Sequence, residues 1–152
     1  MEPNGSTDTL LLVMRQQQSR YAVPAENVEE IISVPALTAL PRQPGYLRGI
    51  FNYKGHVIPV LSLRALCGCG TGGDEAVCVV LRMEDLLLAL TADGAESLVT
   101  DSGQRVQYDE SLMEGEFVKL ACVLPGDPAI LVLDPEKVYG AVEAHFNAET
   151  FA

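Results

Sequence analysis

Residues 28–68 read VEEIISVPALTALPRQPGYLRGIFNYKGHVIPVLSLRALCG. An apolar–acidic run leads into a proline-bounded loop, and a glycine-turned hairpin follows. Val28, Ile31 and Ile32 recur at helical spacing after Pro24-Ala25-Glu26-Asn27, which predicts one helical turn entering a strand at 31–34. Pro35, Pro41 and Pro44 prevent any long regular element across the loop. Residues 46–52 read as a strand, Lys54-Gly55 as the turn and 56–61 as its partner, with Gly55 supplying the positive φ of a tight turn. Pro59 lacks a ladder donor, which puts the second strand at an edge or at a bulge. Ser62 caps a short helical turn through Leu66, and Gly68 stops it. Almost no group in this stretch does chemistry, so its specificity is architectural and favours binding over catalysis.

Working outward, residues 10–15 and 21–23 form a first hairpin around the polar connection 16–20. CGCGTGGDE at 67–75 is a flexible connector. Apolar runs follow at 77–83, 86–91, 97–99, 118–124 and 130–133, with a polar loop at 100–116 between the third and fourth. Asp134-Pro135 reads as N-cap and first residue of a closing helix toward His145. Val138, Val142, His145 and Phe146 share a face of that helix, and Gly140 weakens it by ~1 kcal/mol relative to alanine. The total of about ten short strands suits two small barrels better than an alternating βαβ sheet. We therefore expect an all-β fold with short helices. Residues 1–9 are a disordered lead-in, and residues 10–152 are one domain of two β-barrel lobes with their junction near 68–75. The halves share a rough plan of hairpins followed by a short helix, without a sequence repeat.

A chain of 152 residues with 48% apolar content can bury a core without disulfides or metal. Its net charge of −11 repels phosphate backbones and anionic lipid, which argues against nucleic-acid partners and membrane docking. No apolar run reaches the ~18 residues of a membrane span, and MEPNGSTDT lacks the basic start and apolar core of a signal peptide. Cys67, Cys69, Cys78 and Cys122 fit reduced thiols. A soluble cytoplasmic protein is the simplest expectation.

The motifs of enzymes and cofactor proteins fare poorly. Gly68-Cys69-Gly70-Thr71-Gly72-Gly73 spells G-x-G-x-x-G, but a helix precedes it and Asp74-Glu75 follows, so it lacks the strand–helix setting that holds a pyrophosphate. Cys67 and Cys69 are half a zinc site, and Cys78, Cys122, His56 and His145 offer no second closely spaced pair. The carboxylate pairs Glu29/Glu30, Glu84/Asp85 and Asp109/Glu110 alternate faces along strands and read as solvated edges. No catalytic residue, cofactor or metal is expected. What remains is a binding surface. Val28, Ile31 and Ile32 form a candidate apolar patch, at least one of them in the core, beside Glu29 and Glu30. A Glu30–Lys54 pair would serve a partner site more than stability.

The order of these pieces resembles the CheW-like domain of bacterial chemotaxis coupling proteins. The matching segments are Tyr21-Ala22-Val23-Pro24, Val28-Glu29-Glu30-Ile31, Leu40-Pro41-Arg42-Gln43-Pro44, and the run from Gly49 to Leu63 that contains Asn52-Tyr53-Lys54-Gly55 and Ile58-Pro59-Val60. Leu88-Ala89-Leu90-Thr91-Ala92-Asp93 and Ala129-Ile130-Leu131-Val132-Leu133-Asp134 resemble two later strands of the family, so the likeness runs from about residue 10 to 139. It implies two five-stranded SH3-like barrels around a shared apolar core. It also implies a non-catalytic adaptor that joins the cytoplasmic tip of a chemoreceptor to the regulatory domain of the histidine kinase CheA, with CheW-like ring partners beneath a membrane receptor array. The partner-binding residues it implies are Val28, Glu30, Ile31, Ile32, Asn52, Lys54 and Gly55. Three positions depart from the pattern: Lys54 replaces an arginine, Ser62 an aspartate and Ala92 a valine. Lysine keeps the charge and loses the planar fork. The alternatives are a divergent ring member, an adaptor of a non-motility pathway such as pilus control, and, more remotely, a small-ligand or metal-binding protein.

Overall fold

A computed structural model of the chain describes residues 9–42, 45–67, 75–101, 104–107, 118–123 and 130–150. In chain order the strands are β1 (Thr9–Gln16), β2 (Ser19–Pro24), β3 (Val28–Ser33), β4 (Leu47–Tyr53), β5 (His56–Ser62), β6 (Val77–Met83), β7 (Leu86–Ala92), β8 (Gly94–Asp101), β9 (Gln104–Gln107), β10 (Val118–Val123) and β11 (Ile130–Leu133). Two helices join them, α1 (Leu63–Cys67) after β5 and α2 (Pro135–Thr150) after β11. A six-stranded sheet has the order β9-β10-β11-β2-β1-β8, and a five-stranded sheet the order β3-β6-β7-β5-β4. The fold is the expected two-sheet, SH3-like architecture with one closing helix, although the strands divide six and five.

The sheets do not follow the halves of the sequence. The five-stranded sheet takes strands from both sides of residues 68–74, and β1 and β2 pair with strands from beyond residue 93. Residues 1–8 and 68–74 lie outside the described residues, and Thr9, expected in the lead-in, already pairs with Asp101.

Alternation along the strands feeds three cores. Leu11, Val13, Ala22, Ile130 and Val132 fill the six-stranded sheet, with Val99 against them. Tyr53, Ile58, Val60, Cys78, Val80, Leu87 and Ala89 fill the five-stranded one. Between the sheets lies the largest core, to which Leu12, Met14, Tyr21, Leu61, Leu63, Leu81, Leu88 and Leu90 contribute. Val138 and Val142 of α2 close it, as their helical spacing predicts; the side chains of His145 and Phe146 are outside the described residues.

Three local readings change. The i, i+3 spacing of Val28 and Ile31 is not helical: the helical turn is the 3-10 segment Ala25–Asn27, and β3 starts at Val28. A β-bulge sets both Val28 and Glu29 against Leu81, so Val28 and Ile31 fall on one face although three residues apart. The stretch read as a polar loop holds a strand, Gln104–Gln107. Pro59 sits in an internal strand, yet its missing N–H costs no bond. Ile50 opposite it directs its N–H and C=O to Thr38, and β5 pairs with β7 only from Val60 onward.

Caps and turns follow the sequence closely. Ser62 Oγ accepts from the Ala65 N–H at 3.1 Å to cap α1, and Asp134 Oδ1 accepts from the Glu136 N–H at 3.1 Å at the start of α2. Lys54 (φ 50°) and Gly55 (φ 90°) both lie at positive φ, the geometry of a type I′ hairpin turn.

Candidate functional site

The open edges of the five-stranded sheet are β3 and β4. Residues after β3 bring them together, because Thr38 exchanges two 2.9 Å backbone hydrogen bonds with Ile50. Side chains make the second closure. Glu30 points to the interior side of the sheet, opposite Val80. The Tyr53 hydroxyl donates to its Oε1 at 2.6 Å, and the Lys54 ammonium lies 3.3 Å from the same oxygen. That ammonium also sits 5.2 Å from the centroid of the Tyr53 ring. Phe51 packs edge-on to Tyr53, with centroids 6.1 Å apart.

The electrostatics are mutual. The Tyr53 hydroxyl and then Lys54 hold the Glu30 carboxyl below its ordinary range. The hydrogen bond to Glu30 in turn raises both the Tyr53 phenol and the Lys54 ammonium above theirs. The Arg82 guanidinium lies 2.8 Å from Glu29, and this hydrogen bond lowers the Glu29 carboxyl. One edge strand thus presents two charge-paired glutamates.

The expected residues come together only in part. Glu30 and Lys54 pair, and Asn52 supports them, since its Oδ1 accepts from the Gly55 N–H at 2.9 Å and fixes the turn. The patch of Val28, Ile31 and Ile32 is split, because alternation and the bulge send Ile32 to the barrel interior and Val28 and Ile31 to the opposite face. Val28 packs on the central core, and only Ile31 stands in solvent, at 46% exposure. Sequence reasoning missed Tyr53, whose place before the turn lysine was its signal, and Arg82, which had none.

It also missed Glu75, read as part of the connector. Glu75 is buried: Ser62 Oγ donates to its Oε1 at 2.7 Å, the Arg64 N–H donates to its Oε2 at 3.0 Å, and the Arg64 guanidinium lies 3.7 Å away. Its own N–H donates to Asp93 Oδ1 at 3.0 Å. Asp93, between β7 and β8, also accepts from the Gln17 N–H at 2.8 Å and Gln16 Nε2 at 3.3 Å. Burial pushes the Asp93 carboxyl up, but the backbone donors Gln17 and Glu75 and the nearby Arg15 hold it below its ordinary value. The bonds from Gln16 and Gln17 tie the β1–β2 turn of the six-stranded sheet to this junction, and the Glu75 N–H ties the start of β6 to it. Ser62, where the family pattern has aspartate, works with Glu75 to cap the helix.

Beside α2, a groove of about 470 Å³ is lined by Leu40, Ile50, Val57, Pro59, Tyr139, Val142 and Glu143. It continues the central core outward past Val142, and Val57 at its lip is 65% exposed. Buried Cys78 lies in the barrel interior, where burial pushes its thiol up to about 11; Cys69 is outside the described residues. No helix among the described residues is long and apolar enough to cross a membrane.

Two curled sheets sharing a central core and closed by one helix define a double SH3-like β fold. A family model described as the CheW-like domain matches residues 9–143, and the chain belongs to that family. It is similar to the chemotaxis protein CheW of Treponema pallidum, with 26% identity over 142 residues covering 88% of this chain and 83% of the relative. A shorter segment of 44 residues is 46% identical to protein FrzA of Myxococcus xanthus, covering 29% of this chain and 28% of that protein. The crystal structure of the scaffolding protein TtCheW from Thermoanaerobacter tengcongensis matches with a TM-score of 0.75 at 19% identity, over 84% of this chain and 90% of that one, a likeness of fold.

Proposed function

We propose that this chain is a non-catalytic coupling protein that joins chemoreceptor tips to the regulatory domain of a CheA-type histidine kinase, in the cytoplasm beneath a receptor array. The observation that carries this reading is the edge strand β3, which presents exposed Ile31 on one face and the Glu30–Tyr53–Lys54 cluster on the other. An edge strand with one apolar side chain and fixed charges suits barrel-to-barrel docking, where charge sets register and the apolar group supplies affinity. The groove of Leu40, Ile50, Val57 and Val142 offers the apolar lining that the face of a docked receptor helix needs.

The test is saturable binding to the regulatory domain of the cognate kinase, followed by array reconstitution with receptor. Glu30→Lys and Ile31→Asp should each weaken kinase binding by about tenfold or more, with a cooperative unfolding transition retained in both. Unaltered binding in both variants would refute the surface assignment. Kinase binding without receptor engagement would favour a ring member that serves assembly alone.

A further inference from the structure

Among the described strands the chain passes between its two sheets at two places. The first is the 3-10 turn Ala25–Asn27, between β2 and β3. The second is a single residue, Asp93, because β7 ends at Ala92 and β8 begins at Gly94. The Asp93 side chain is only 6% exposed. Its Oδ2 accepts from the Gln17 N–H at 2.8 Å and its Oδ1 from the Glu75 N–H at 3.0 Å, so one carboxylate holds an element of each sheet. Gln17 (φ 57°) and Glu75 (φ 42°) are both non-glycine residues in the left-handed region, which persists where the surroundings fix it. Buried Gln16 donates through Nε2 to the same carboxylate, and its Oε1 has no partner among the described residues. The Asp93 N–H donates in turn to the Arg15 carbonyl at 3.0 Å.

The apolar core between the sheets holds them together without fixing their angle. Burial of apolar surface is non-directional, and packed apolar faces lose a unique arrangement before they lose stability. The directed bonds to Asp93 supply that angle, and the angle matters at the groove beside α2. Leu40, Ile50, Val57 and Pro59 form one wall and belong to the five-stranded sheet and the loop between its β3 and β4. Tyr139, Val142 and Glu143 form the other and belong to α2, which follows β11 of the six-stranded sheet. Glu30, Ile31, Tyr53 and Lys54, by contrast, stand on β3, β4 and the turn after it, all within one sheet.

We propose that Asp93 is a positioning residue that fixes the angle between the two sheets and thereby the separation of the groove walls that take a receptor helix. The two partner sites then depend on it differently. The groove spans both sheets and needs the fixed angle; the kinase edge lies within one sheet and does not. The partners named here rest on the adaptor reading, whereas the fixed angle is a property of the fold alone.

Residual dipolar couplings of the backbone amides of the full chain read the relative orientation of the sheets. One alignment frame should fit both sheets in the wild type. In Asp93→Asn each sheet should require its own frame. The same should hold in Asp93→Glu, which keeps the charge and misplaces the oxygens. Val13→Ala, a cavity inside the core of the six-stranded sheet, lowers stability without touching the junction and should keep the single frame. Affinity for a stapled helical hairpin of the cognate receptor tip should fall about fivefold or more in both Asp93 variants. Affinity for the kinase regulatory domain should stay within about twofold. A common frame in both Asp93 variants, or equal losses for the two partners, would overturn the proposal. Failure of the wild-type chain to bind the tip would overturn the adaptor reading instead, and the couplings would still decide the role of Asp93.

Discussion

Tyr53 and Glu30 meet at 2.6 Å although they stand on strands at opposite edges of one sheet. The bond stitches the rim of a barrel whose backbone closure, among the described residues, is the bridge between Thr38 and Ile50. Lys54 adds its charge to the same carboxylate oxygen, so the turn and the edge strand hold one geometry.

Tyr53→Phe should therefore move the Glu30 titration midpoint upward, toward that of an ordinary glutamate, because the hydroxyl is the leading cause of its depression. A depressed carboxyl adds stability above its unfolded value, near 4.3, and this is lost as pH falls through the folded value. Carbon-detected NMR of the side-chain carboxyl reads the midpoint directly, and an unmoved midpoint would contradict the assignment.

Asp93→Asn should destabilise the fold by about 1–3 kcal/mol, since buried backbone donors lose their charged acceptor. The Asp93 carboxyl is held low in the folded state. The wild-type protein should thus lose this contribution as pH falls from about 5 toward 3. The variant's urea midpoint should fall less steeply over that window; parallel acid limbs would show that Asp93 contributes nothing there.

Gly49→Ala should cost about 1–3 kcal/mol. Gly49 has φ +147°, and a Cβ there would lie 2.7 Å from the Thr38 carbonyl oxygen, the backbone that closes the barrel. Urea unfolding and the amide exchange rate of Ile50 should change together.

Gly140→Ala runs the other way, with a gain of about 0.5–1 kcal/mol in the same urea assay. Loss of stability would mean that the helix needs the glycine for its own packing.

How much of this was legible in the sequence varies with the range of the interaction that decides each feature. Lys54-Gly55, the Ser62 cap and the Asp134-Pro135 helix start are local, and each forms as read. The helix-like spacing of Val28 and Ile31 misled because a bulge mimics a 3.6 period over one step, and only the partner strand with Leu81 reveals it. Glu75 looked like solvated linker, since its partners Ser62, Arg64 and Asp93 converge only once the sheets have packed. Gln104–Gln107 carries no apolar alternation to announce a strand, so pairing with β10 decides it. For the candidate site, charge types were readable and faces were not.

The parallel pairing of β2 with β11 has a consequence for synthesis. Every strand of the five-stranded sheet lies within residues 28–92, so that lobe can close while the rest of the chain is still on the ribosome. The hairpin of β1 and β2 is made first, but its neighbour β11, at Ile130–Leu133, is made last among the strands. Until then Leu11, Val13 and Ala22 lack the Ile130 and Val132 that cover them. The first of these strands to be translated are thus among the last to be protected, and a nascent chain stalled short of Leu133 would expose an apolar hairpin to chaperones and to other unfinished copies.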